Sequence, residues 1–241
     1  AVIIVTATAV AILRFHDLDS AAAEPASART TTVPLDGAAR GQVTVHLAAG
    51  QLTMGALPSG ATSLLAVNSQ MPSGMQMTSR VERSNGTATV TLQGEGRAPG
   101  LWFLDWIGPR DGIRWTVQLA RATPLTLEVN LGAGRADLDL SELAVQELTL
   151  DSGAGDLTVT FPAGTSRTDA EIRSGAGHLT LIIPPEVGAR LHAPAEGIVK
   201  INAPGDRFHQ TTDGYESSNY ASAAHHLEIT LHLGVGSVDV R

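Results

Sequence analysis

The chain is predicted to be all-β, a stack of repeated strand units behind one N-terminal apolar helix. Three observations predict it. A glycine-flanked triplet recurs at nearly fixed spacing, apolar and polar residues alternate strictly on either side of it, and the chain opens on a short apolar run followed by a segment rich in Ala, Ser, Thr and Pro. Self-similarity at a fixed period of this size marks stacked units that share one core.

The first element is residues 1–13, apolar apart from Thr6 and Thr8 and closed by Arg14. As a helix it would rise about 20 Å, short of the ~30 Å hydrocarbon core. Residues 1–19 are therefore read as a single transmembrane helix whose start is expected to lie ahead of residue 1. The remainder of a signal peptide and a buried soluble helix are the other readings. Residues 20–40 read as a flexible extracytoplasmic linker.

Residues 41–241 read as the β-repeat domain. Val43, Val45 and Leu47 alternate with Thr44 and His46, and Ala48-Ala49-Gly50 precedes Leu52 and Met54. Asn85-Gly86 between Val81 and residues 87–92 is a strong hairpin signal. Next comes the repeat itself. Leu127, Val129 and Leu131 lead to Gly132-Ala133-Gly134, then Leu138 and Leu140. Leu148 and Leu150 lead to Gly153-Ala154-Gly155, 21 residues on; Ala170 and Ile172 lead to Gly175-Ala176-Gly177, 22 residues further. Gly234-Val235-Gly236 is a looser fourth copy. Apolar spacing of two is a half-buried strand, and each triplet reads as a tight corner between two strands. Glycine permits the positive φ and close backbone approach of such a corner, and Gly153 is expected to need both. The central alanines are expected to stack from rung to rung.

These segments, from "PLTLEVNLGAGRADLDL" through "EIRSGAGHLTLIIPP" to "LEITLHLGVGSVDVR", resemble the toast-rack family of bacterial envelope proteins. That family is related to the C-terminal domain of LiaF-type proteins and to a family of putative adhesins. The resemblance spans residues 42–240. It implies a stacked, solenoid-like β domain in the cell envelope and carries no catalytic motif. Through LiaF-type proteins it also implies envelope-stress signalling.

Composition narrows the classes further. The formal net charge is −8 with no basic run, which disfavours nucleic acid. There is no cysteine, which removes disulfides, thiolate metal sites and cysteine nucleophiles. Asp137, Asp139, Asp151 and Asp156 beside the corners could form a calcium site or a glycosidase acid–base pair. As alternating strand residues they read better as a solvated face that also blocks edge pairing. His225 and His226 point to opposite faces of a strand, and His178, His192 and His232 lie apart, so no shared metal is expected. No nucleophile elbow or Walker loop appears, and Gly94-Glu95-Gly96 is not followed by a helix. The chain is therefore read as a non-enzyme without cofactor or metal.

Two segments are candidate partner sites. "PGLWFLDWIGPRDGIRW" holds Trp102, Phe103 and Trp106 between glycines and prolines, either as an exposed anchor or as a plug over the end of the stack. Residues 206–224 form a polar insertion holding both tyrosines, Tyr215 and Tyr220. The functional expectation is a single-pass membrane-anchored domain on the extracytoplasmic side of the bacterial cell membrane. It would act by contact with other membrane or envelope proteins, as accessory subunit or scaffold, or by self-association. A filament or adhesin subunit, an envelope-stress signalling protein and a polysaccharide-active solenoid enzyme are the alternatives.

Overall fold

Five long strands form the middle of the molecule: β2 (Arg40–Ala56), β7 (Leu125–Asp139), β8 (Val145–Thr160), β9 (Arg167–Ile182) and β14 (His226–Val240). They run parallel in the order β2-β7-β8-β9-β14. The computed structural model describes residues 27–72, 74–96, 112–193 and 198–241.

Each long strand carries one corner and so has two arms. In β7, Leu127, Val129 and Leu131 are buried before the corner, and Ala136 and Leu138 after it. The inward residues change from odd to even positions because the ladder skips one residue: Leu131 pairs with Ser152 and Ala133 with Ala154, while Gly132 and Gly153 are left out. The same inversion occurs in β2, β8, β9 and β14. Without it, alternation would aim one arm's apolar residues at solvent. With it, both arms feed a single core that is mostly aliphatic and includes Trp115 and Phe161.

The two glycines of each corner do different work. The second holds φ near +140°, at +138° in Gly134, +145° in Gly155 and +141° in Gly177, a region closed to other residues. The first has no positive φ and is required by proximity: a Cβ on Gly153 would stand 2.3 Å from the Gly132 carbonyl oxygen. The expectation that Gly153 combines both constraints is thus corrected. The middle residues stack in register as expected, Ala49 on Ala133, Ala154, Ala176 and Val235.

At both ends the rungs split. β5 (Thr87–Gly96) pairs the first arm of β2, and β6 (Arg114–Leu119) pairs its second arm. β5 and β6 are therefore one rung whose corner is replaced by an insertion. β4 (Met75–Ser84) adds antiparallel to β5, β3 (Ser63–Met71) to β6, and β1 (Ser27–Pro34) to β3. The β4–β5 turn has Asn85 at φ +49° and Gly86 at φ +74°, the two positive angles of a type I′ hairpin. Beyond β14, β10 (Gly188–His192) pairs its first arm and β11 (Ile198–Asn202) its second. β13 (Gly214–Ser217) and β12 (Phe208–Thr211) continue the first arm.

One boundary differs from the expectation. The linker assigned to residues 20–40 does not extend so far, because β1 lies inside that range and is laddered along β3 with Val33 buried. Its Arg-Thr-Thr-Thr run suits an edge strand, where β-branched polar residues tolerate solvent on one side. The helix expected over residues 1–19 lies outside the described residues. Among those described, no helix is long and apolar enough to cross a membrane.

Candidate recognition groove along the corners

The outward side chains nearest the corner form a row across the five central rungs. His46, Asn130, Asp151, Arg173 and His232 are successive partners in the ladder. Beside them run Ala48, Gly132, Gly153 and Gly175, which offer backbone and little else. A wall of polar side chains beside a floor almost without side chains leaves an open groove of about 650 Å³. The groove exists because the corners must be glycine.

The wall is held by exchangeable contacts. Arg173 donates to Asp151 at 3.3 Å and also engages Glu171. His232 Nε2 lies 3.4 Å from Glu171 Oε1. Asn130 donates to Glu128 at 3.0 Å. Ion pairs this exposed contribute roughly 0–1 kcal/mol, so a partner can take over their hydrogen bonds at little cost. Behind the wall, Ser152 and Ser174 take the place held by Leu47, Leu131 and Leu233 in the other rungs. Ser152 Oγ is buried without a hydrogen-bond partner in the protein. The far side of the corner carries a second polar row, in which Arg135 donates to Asp156 at 3.3 Å and His178 Nδ1 lies 2.8 Å from Ser237 Oγ.

The sequence candidates fall in different places. Trp102, Phe103 and Trp106 lie outside the described residues. Of the described residues on either side, Gly94 lines the groove and the Ile113 carbonyl accepts the Gln51 amide at 2.9 Å. Tyr220, in a short 3-10 turn (Tyr220–Ser222), is a structural residue. Its hydroxyl donates to Glu228, the Arg190 guanidinium sits 4.1 Å above its ring, and the His226 ring meets its edge at 5.1 Å. Burial, then the Glu228 hydrogen bond, raises the phenol above its ordinary pKa. Tyr215 is half-buried and faces a recess at the β14 end. The polar insertion is thus mostly folded into the hairpin β12–β13 and this turn.

Three of the four aspartates are engaged locally: Asp151 with Arg173, Asp156 with Arg135, and Asp139 accepting the Ser141 amide at 3.1 Å. Asp137 is exposed on β7. Among the described residues no three His, Asp or Glu side chains converge on a point where a metal could sit. The groove was invisible in the sequence, because its wall residues share no type and meet only through strand register.

Bent parallel rungs on one core, with glycine corners stacked into a column, define a stacked β-repeat protein. The chain belongs to the toast-rack family: the family described as "N-terminal domain of toast_rack, DUF2154" matches residues 22–182. Among solved structures, a "putative cell adhesion protein" from Clostridium sporogenes is 20% identical with a TM-score of 0.77, covering 89% of this chain and 98% of its own. A "putative adhesin" from Bacteroides fragilis is 11% identical with a TM-score of 0.36, covering 90% of this chain and 98% of its own. No curated protein matches.

Proposed function

We propose that this is a non-catalytic recognition domain, anchored in the bacterial membrane ahead of β1, that binds another envelope protein along the corner groove. One observation carries the reading. The groove crosses five rungs, its floor is bare backbone and its wall is a row of weakly committed charged and amide groups. Such a surface can accept an extended segment of a partner and exchange hydrogen bonds with it. The anchor is supported by the apolar run at residues 1–13. An adhesive role between cells is the second reading, favoured by the description borne by the Clostridium protein of the same fold.

The test is co-purification of the full chain from bacterial membranes in detergent, wild type against Asp151→Arg with Arg173→Asp. The double exchange keeps the local pair but inverts its order along the groove. Stoichiometric partners should be lost while the melting temperature stays nearly unchanged. Partners retained equally by both proteins would mean the groove is not the contact surface.

A further inference from the structure

Among the described residues the sheet ends on four strands paired along one side only: β1, β4, β11 and β12. An unpaired edge offers backbone hydrogen bonds to any other strand, and folded proteins guard against that with short edges or charged side chains. Three of the four are guarded. β12 has four residues, β11 has five with Lys200 at its centre, and β4 carries Arg80, Glu82 and Arg83.

β1 is different. It has eight residues, its one charged side chain is Arg29 near its start, and Thr30–Val33 is an unbroken β-branched run, the residue type that pairs best in sheets. One side is laddered to β3 over the whole strand, and no described strand lies along the other. Thr30 and Thr32 are exposed, whereas Val33 is buried. Pairing is stopped only at the far end. There Pro34 has no amide to donate, and its carbonyl accepts from Arg83 at 2.9 Å.

We propose that β1 pairs antiparallel with β1 of a second copy, about a two-fold axis at Thr31. Thr31 then faces its own counterpart, Thr30 faces Thr32, and Arg29 faces Val33. Threonine pairs across strands are favourable, and no two like charges meet. The run Thr30-Thr31-Thr32 is symmetric about its own centre, which selects a second copy over a foreign strand. A two-fold contact of this kind closes at two copies and joins their second arms into one continuous sheet. An edge contact is small beside the ~1,600 Å² of a standard interface, so the dimer is weak and reversible. The proposal is independent of the corner groove, which no residue of β1 lines.

The test is sedimentation equilibrium of the full chain over a range of concentrations, with amide hydrogen exchange on the same samples. The wild type should pass from monomer to dimer as concentration rises, and the amides of residues 29–33 should gain protection while those of β4 and β11 do not. Thr30→Lys with Thr32→Lys sets like charges opposite each other at two places and should weaken the dimer at least tenfold, about 1.4 kcal/mol or more. Thr30→Lys with Thr32→Glu sets opposite charges at the same two places and should restore it. Both positions are exposed, so the melting temperatures of the two variants should match that of the wild type. A monomer at every concentration, assembly beyond two copies, or a dimer that leaves β1 unprotected would overturn the proposal. So would a dimer that the double lysine exchange leaves intact. Failure of the lysine–glutamate variant to recover would overturn the two-fold register.

Discussion

The carbonyl oxygen of Gly134 stands 1.8 Å from the point that a Cβ on Gly155 would occupy. The obstacle is backbone of the rung below, which is itself locked in two ladders, so neither partner can retreat. The same relationship joins Gly155 to Gly177 at 1.9 Å and Gly177 to Gly236 at 1.9 Å. The column of corners is as close as peptide backbones allow.

Gly155→Ala should therefore destabilise by roughly 3–5 kcal/mol, adding positive-φ strain to a backbone clash. Gly153→Val lacks the φ strain and should cost roughly 2–4 kcal/mol. Gly164, with open space around it, is the control: Gly164→Ala should be neutral or stabilise by up to about 1 kcal/mol. Urea unfolding measures all three. A Gly155→Ala protein as stable as the control would mean that the corners are not stacked.

Trp115 is fully buried, and its Nε1 has no hydrogen-bond partner in the protein. Its ring reaches within 3.5 Å of where a Gly94 side chain would begin. Trp115→Phe removes the unpaired donor along with some volume, and the two effects should offset to within about 1.5 kcal/mol. Trp115→Ala should cost about 3–5 kcal/mol. Equal losses in the two variants would mean that the indole nitrogen is satisfied after all.

Tyr220 carries a pH signature. Its folded pKa is raised, first by burial and then by Glu228, above the value near 10 of a free phenol. The neutral phenol's contribution is complete below the unfolded pKa and is lost as pH rises through the folded one. Wild type should therefore lose stability more steeply than Tyr220→Phe between about pH 9 and pH 11. Parallel urea midpoints across that range would show that the ring is not held by Glu228.

β1 can be removed cleanly. A chain beginning at residue 35 loses the ladder on β3 and the buried Val33, and should be roughly 2–4 kcal/mol less stable than one beginning at residue 27. Thermal melts of the two truncations decide it, and equal midpoints would place β1 outside the folded domain.

The central rungs were legible because each carries its own complete signal: alternation, two glycines, alternation again. The split rungs were not. β5 and β6 are halves of one rung separated by an insertion at the corner, and no local pattern says that Gln93 and Arg114 flank the same bend of β2. β10 and β11 hide in the same way, with no glycine triplet between them. β1 looked like a linker because Ser, Ala, Thr and Pro are common to stalks and to polar edge strands. The groove depends on register across distant segments, so His46 and Asn130 become neighbours only once β2 and β7 are paired. Tyr220 was visible as an aromatic in a polar insertion, but its inward role depends on Glu228 and Arg190, which belong to two other strands.

The order β9-β14-β10 has a consequence for synthesis. β14 is made last of the described strands, yet it sits between β9 and the strands made just before it. A growing chain can stack β1 through β9 as each emerges. It must then leave the sixteen-residue edge of β9 open while β10, β12 and β13 are produced with only one another to ladder on, and β11 with no partner yet made. Only when residues 226–240 arrive do both gaps close at once. A chain interrupted before that point displays a long unpaired parallel edge, the kind of surface that recruits foreign strands. The arrival of β14 and protection from aggregation are therefore the same event for this fold.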